Sequence, residues 1–171
     1  MIGIVLGSKS DLSFLEGSLP LFQDFNVPFT VQISSAHRTA ERTKEIVKKM
    51  EEKGVEIIIG LAGAAAHLPG VIASFTTLPV IGVPLPSTEL KGIDSLFSIV
   101  QMPGGIPVAS MAIGKAGVKN AVLFAFSVLA LHDQALKEKI SLYRQQQKEK
   151  IIKDSSEMEK ELSLYAHFFR L

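Results

Sequence analysis

The chain has no cysteine in 171 residues, which excludes disulfides, thiolate nucleophiles and cysteine-held metals together. It also has almost no excess charge, with 18 basic residues against 17 acidic ones. A net charge of +1 gives no bulk attraction to nucleic acid or to an anionic membrane, so neither is expected as a partner. Long apolar runs are missing as well. The longest, Ala121 to Leu131, is interrupted by Ser127 and is too short to span a bilayer. No basic segment precedes the opening run Ile2-Gly3-Ile4-Val5-Leu6, so no signal peptide is read and a cytoplasmic location is expected.

Apolar residues, by contrast, are abundant. They make up 47% of the chain and raise the mean hydropathy to +0.29. The length suits about one domain with a core of its own. The surplus beyond that core predicts a homo-oligomer.

Strand-like and helix-like segments alternate. Ile2–Leu6, ending at Gly7-Ser8, reads as a buried parallel strand. From Asp11 to Phe25, Leu12, Leu15, Leu19, Phe22 and Phe25 recur at helical intervals, with Pro20 as a kink. A second strand covers Val27–Ile33. Thr39 then caps an amphipathic helix with Arg42, Lys44, Lys48 and Lys49 outward and Ile46, Val47 and Met50 inward. Gly54 ends it, Val55–Ile59 is the third strand, Gly60 to Gly70 a small-residue loop, and Val71–Phe75 a short helix. Leu78–Val83 is the fourth strand, followed by a glycine- and proline-punctuated region from Pro84 to Pro107. Val108–Ile113 is the fifth strand and Val118–His132 an apolar helix.

This alternation predicts a doubly wound parallel sheet of the flavodoxin or Rossmann kind, a three-layer α/β/α domain over residues 1–135. Right-handed crossovers place the loops after the strands on one edge. Residues 136–171 read as a helical extension, with a polar helix around Gln145–Lys150 and a second segment from Ser156 to Phe169, packing on neighbouring subunits.

Three of the post-strand loops carry candidate chemistry. Gly7-Ser8-Lys9-Ser10-Asp11 offers backbone N–H groups and hydroxyls to a phosphate, although its spacing is neither that of a P-loop nor GxGxxG, and Ser8 and Asp11 also suit an ordinary helix cap. In Ser34-Ser35-Ala36-His37-Arg38-Thr39, a group that titrates near neutrality stands beside a fixed anion clamp. In Gly63-Ala64-Ala65-Ala66-His67-Leu68-Pro69-Gly70, small residues let a ligand ring approach the backbone beside His67. His132 and His167 read as structural. No grouping of histidines and carboxylates has metal-ligand spacing, so no metal is expected. Aromatic residues flank none of these loops, which argues against a flavin-binding electron carrier.

These loops, followed by Ser98-Ile99-Val100-Gln101-Met102-Pro103 and Ala112-Ile113-Gly114-Lys115-Ala116-Gly117, occur in an order that resembles one family over about Ile2 to Arg144. It is the phosphoribosylaminoimidazole carboxylase and N5-carboxyaminoimidazole ribonucleotide mutase family of purine biosynthesis. The resemblance implies a flavodoxin-like fold, a homo-octamer with active sites at subunit junctions, and neither metal nor organic cofactor. It further implies that Ser8, Ser10, Asp11 and Arg38 bind the ribose phosphate, that Ser35 lines the same site, and that His37 is the general acid/base. His67, with Gly63, Ala64 and Leu68, would form the pocket for base and carboxylate.

The chemistry agrees, because an aminoimidazole is enamine-like and its C4 can attack carbon dioxide without a cofactor. The protein then supplies a closed pocket and a base for the C4 proton. The family's mutases typically read Ala-Gly-Ala-Gly-Gly-Ala-Ala-His where this chain reads Gly60-Leu61-Ala62-Gly63-Ala64-Ala65-Ala66-His67. Leu61 and Ala64 replace glycines, and Glu89 and Lys91 add charge near the rim. The expectation is therefore direct carboxylation of 5-aminoimidazole ribonucleotide (AIR) by carbon dioxide to 4-carboxy-5-aminoimidazole ribonucleotide (CAIR), with the mutase reaction as the alternative. A non-catalytic nucleotide-binding module would need neither His37 nor the His67 loop.

Overall fold

The computed structural model describes residues 1–163 and 165. The chain divides into two compact units, Met1–Leu129 and Ala130–Leu171.

In the first unit, five parallel strands stand in the order β2-β1-β3-β4-β5, namely β1 (Ile2–Leu6), β2 (Phe29–Ile33), β3 (Ile57–Gly63), β4 (Val80–Leu85) and β5 (Ala109–Ser110). This is the flavodoxin-like order, with its direction of winding reversed between β1 and β3. Every residue of β1 and β4 is buried, as continuous apolar runs covered on both faces must be. On one face Val5, Ile58 and Val80 pack with Ile46, Val47 and Met50 of α3 (Ala40–Glu52), Leu68 and Ile72 of α4 (Leu68–Ala73), and Ile99 of α5 (Ile93–Val100). On the other, α6 (Gly114–Leu129) lies over β3 and β4. Its fully buried Phe126 meets Phe22 edge-on with ring centroids 5.4 Å apart, and Phe25 at 4.9 Å. Truncating such a ring to alanine costs about 3–5 kcal/mol.

Several boundaries differ from the sequence reading, each for a local reason. The expected helix from Asp11 to Phe25 is broken into a turn of 3₁₀ at Lys9–Asp11, α1 (Leu12–Leu15), a second 3₁₀ turn at Glu16–Ser18, and α2 (Leu19–Phe25). Pro20 sits in the first turn of α2, where its missing N–H costs nothing. Gly54, at φ +76°, ends the chain segment after α3 as expected. β3 then runs on through Gly60–Gly63, read from sequence as loop, because parallel pairing to β1 and β4 holds it extended. The loop shrinks to Ala64–His67, and the following helix starts at Leu68 rather than Val71.

α5 lies inside the glycine- and proline-punctuated region from Pro84 to Pro107, β5 is only two residues long, and α6 begins at Gly114. Exposed Ile93, Phe97 and Val100 form an apolar stripe on α5, continued by Leu90.

In the second unit, one helix, α7 (Gln134–Ser163), stands where two segments were expected. Asp133 caps it by accepting from the Leu136 N–H at 3.0 Å. His132 lies in the turn before it, not within a helix. Ion pairs Lys150–Asp154 and Lys153–Glu157 run along its exposed surface, where solvent screening leaves such pairs weak. His167 and the end of the segment Ser156–Phe169 lie outside the described residues. Among those described, no helix is long and apolar enough to cross a membrane.

Candidate active site

The C-terminal ends of β1, β2, β3 and β4 open onto a cavity of about 420 Å³ at the reversal point of the sheet, where open α/β folds bind ligands. Its lining is Gly7, Ser8, Ser10 and Asp11 after β1, Ser35 to Arg38 from the second loop, Ala62 and Gly63 from the end of β3, Ala66 and His67 from the third loop, and Leu68 from the start of α4. Ser87, beyond β4, completes it.

The first loop is wired to itself. The Ser8 hydroxyl accepts from the Ser10 N–H at 3.1 Å, and the Ser8 N–H donates to the Asp11 carboxylate at 2.9 Å. Ser8 and Asp11 thus form a capping box around one 3₁₀ turn. The Ser8 and Ser10 hydroxyls are 2.6 Å apart, and Ser10 donates on to Asp11 at 3.4 Å. Burial pushes the Asp11 carboxyl above its ordinary range, against the opposing pull of donors from Ser8, Ser10 and Gly7. The capping reading and the ligand reading are compatible, because these bonds hold two hydroxyls at the cavity wall.

The second loop is pinned from below. Buried Ser34 shares a hydrogen bond of 2.8 Å with buried Thr43 of α3. Thr39 occupies the N-cap position of α3 but gives no side-chain cap. Its hydroxyl turns back instead, accepting from the Ser35 N–H at 2.9 Å and donating to the Ser35 carbonyl at 3.1 Å. Arg38 lies over Ser35, its Nε donating to Oγ at 3.4 Å. Its guanidinium has no carboxylate partner among the described residues, so the charge is available to an anion.

His37 crosses to the third loop. Its Nε2 is 2.6 Å from Nδ1 of His67, with the rings 79° apart. One of these nitrogens must carry the hydrogen and the other must be bare, so the pair holds one proton between two rings. Residues 30 apart in sequence thereby form one hydrogen-bonded pair at the cavity edge, of a kind that can give or take a proton.

Nine of the ten sequence-predicted site residues line this cavity: Ser8, Ser10, Asp11, Ser35, His37, Arg38, Gly63, His67 and Leu68. Ala64 does not. It occupies left-handed backbone at φ +53° and turns the chain out of β3. Leu61 is not a pocket residue either, being fully buried within β3 opposite Leu6 and Val83. Neither residue that replaces a glycine lines the cavity, so they do not support a choice of carboxyl donor. Sequence reasoning missed Gly7, Ala36, Ala62, Ala66 and Ser87 as lining residues. Ser87 had a usable signal, since it follows a strand end as the other site residues do. No grouping of three or more histidines, aspartates and glutamates able to hold a metal occurs among the described residues.

A flavodoxin-like domain carrying an arginine without a carboxylate partner, a hydroxyl loop and a hydrogen-bonded histidine pair at its reversal point belongs to a class of α/β domains whose cavity offers an anion site beside groups able to exchange a proton. Comparison with known proteins gives the family. The family model "AIR carboxylase" matches residues 1–150, and the chain belongs to that family. It is 50% identical over 159 residues to an N5-carboxyaminoimidazole ribonucleotide mutase of Pyrococcus horikoshii, covering 93% of this chain and 89% of the relative. It is 46% identical over 153 residues to the protein of the same name from Escherichia coli, with 90% of each covered. The crystal structure of Treponema denticola PurE superposes with a TM-score of 0.82 at 30% identity, over 91% of this chain and 96% of that one.

Proposed function

We propose that the chain converts N5-carboxyaminoimidazole ribonucleotide to CAIR, moving a carboxyl group from the exocyclic nitrogen to C4. The observation that carries this reading is the name shared by relatives 46% and 50% identical over about nine-tenths of both chains. The expectation of direct carboxylation rested on Leu61 and Ala64 together with Glu89 and Lys91, and none of the four is among the residues that line the cavity.

The histidine pair suits an isomerisation. When the N–carboxyl bond breaks, the nitrogen gains a proton, and when carbon dioxide bonds to C4 that carbon loses one. The protons cancel, so a single acid/base unit serves both steps. In this reading His37 moves the proton and His67 holds its imidazole in place. Arg38, Ser8 and Ser10 take the phosphate, Asp11 orders those hydroxyls and faces the ribose, and Ser35 steadies Arg38. Gly63 and Leu68 shape the wall beside the base.

The stripe Leu90, Ile93, Phe97 and Val100 supports self-association, and we read the assembly as the octamer the family resemblance implies, with the C-terminal unit packing on neighbours. A cytoplasmic location belongs to the same reading.

Purified protein given N5-carboxyaminoimidazole ribonucleotide is expected to form CAIR without added bicarbonate. Given AIR, it should do so only slowly even in excess bicarbonate. Efficient turnover of AIR with bicarbonate, and none of the N-carboxylated compound, would restore the carboxylase reading.

A further inference from the structure

The site assignments above leave Ser87 without a role, although it lines the same cavity as the histidine pair. Its position is fixed from two directions. The backbone is held by the Ser87 N–H donating to the Leu85 carbonyl at 3.0 Å, in a turn stiffened by Pro86. The side chain rests directly on Gly63, where a Cβ would fall 1.9 Å from the Ser87 Oγ and 2.7 Å from its Cβ. No side chain fits at Gly63 with Ser87 in place, so the glycine lets the serine stand in the cavity wall. The Ser87 hydroxyl nevertheless has no hydrogen-bond partner among the described residues. Exposed and without a protein partner, it is a placed donor open to a ligand.

The order of strands says what it faces. Across the sheet the cavity runs from the loops of β2 and β1, which hold Arg38, Ser8 and Ser10, through the β3 loop with His67, to Ser87 after β4. A ribonucleotide laid with its phosphate at the Arg38 end carries its base toward β3 and its base substituents toward β4. Ser87 is the polar side chain at that far end, while Ala62, Ala66 and Leu68 supply apolar wall between.

We propose that Ser87 is a specificity residue whose hydroxyl donates to the carboxylate that migrates between nitrogen and C4. The inference rests on the mutase-family reading of the site, because it takes the substrate's orientation from it. Such a donor distinguishes carboxylated from uncarboxylated ring, and it restrains the carboxyl group near C4 between bond breaking and bond making.

The test is calorimetric titration of the intact, assembled protein with two ligands, CAIR, which carries the carboxylate, and AIR, which does not. Ser87→Ala is expected to weaken CAIR about tenfold to a hundredfold, the loss of one hydrogen bond to a charged acceptor. AIR binding should be unchanged, which also certifies the fold of the variant. Equal weakening of both ligands, or no weakening of either, overturns the assignment of Ser87 and leaves the family reading standing. Wild-type protein that binds neither ligand overturns both.

Discussion

If His37 and His67 form one acid/base unit, their substitutions cannot multiply. His37→Asn removes the group that transfers the proton, and general acid/base catalysis contributes about 10²–10⁴-fold. His67→Ala leaves His37 present but without the partner 2.6 Å from its Nε2. A hydrogen bond of that kind contributes about 0.5–1.5 kcal/mol when neutral and about 1.5–3 when one ring is charged. The charged case governs during proton transfer, and at about 1.36 kcal/mol per factor of ten it corresponds to a loss of about ten- to a hundredfold. With His37 already replaced, His67 has no imidazole to hold, so the double variant should be no slower than His37→Asn alone. Both rings are exposed, so neither substitution threatens the core. The assay is kcat and KM for CAIR formation by all four proteins, with substrate binding measured separately to show that the pocket persists. Losses that multiply would give His67 a chemical step of its own and refute the single unit.

Two further outcomes follow from the same region. Ala64 holds left-handed backbone at φ +53°, a conformation costing a non-glycine residue about 1–2 kcal/mol. Glycine there forfeits about 0.4–1 kcal/mol through the unfolded chain, so Ala64→Gly should gain about 0.5–1 kcal/mol, read as a higher denaturant midpoint with unchanged slope; a lower midpoint contradicts the strain. Asp11 has its carboxyl raised by burial above the ordinary 3.8, so the folded form binds the proton more tightly than the unfolded one. Stability from this group is therefore fully present below 3.8 and falls as pH rises through the native value. Denaturation of wild type and Asp11→Asn at several pH values should show the variant gaining on wild type across that window. A relative loss with rising pH reverses the sign and refutes the assignment.

The parts of the fold that were legible in sequence are those whose local chemistry and tertiary role coincide. Ile2–Leu6 is apolar throughout and bounded by glycine, and the structure gives a strand with the same limits. In α3 the inward Ile46, Val47 and Met50 are all buried. β3 was misplaced because Gly60, Ala62 and Gly63 have little strand preference of their own, and pairing imposes the extended form, to β1 and β4 through Leu61 and to β4 alone for Ala62 and Gly63. α5 was hidden by the glycines and prolines that bracket it, although Ile93 to Val100 contains neither. α7 runs unbroken because no glycine or proline interrupts Gln134–Ser163, whereas its weak amphipathicity suggested two pieces.

The site was legible for a different reason. In a parallel sheet the residues after each strand converge on one edge whatever their separation in sequence, so chemistry-bearing residues at strand ends are brought together by topology alone. That argument locates a site without telling its walls apart, and the hydrogen bonds do so. At the β1–β2 end, Ser8, Ser10 and Asp11 bond one another, and Ser34, Ser35, Thr39 and Thr43 lock the neighbouring loop to α3. These groups are ordered before any ligand arrives, so binding them costs little reorganisation. At the far end Ser87 is placed by Gly63 yet unbonded. A group with no internal partner contributes only through what it binds, so removing it discriminates between ligands, whereas removing Ser34 or Thr43 would loosen the loop for every ligand alike. On the proposed reading, selectivity for the carboxyl group therefore belongs to the wall formed by β3 and β4. On the same reading, affinity for the ribonucleotide belongs to the pre-wired loops of β1 and β2.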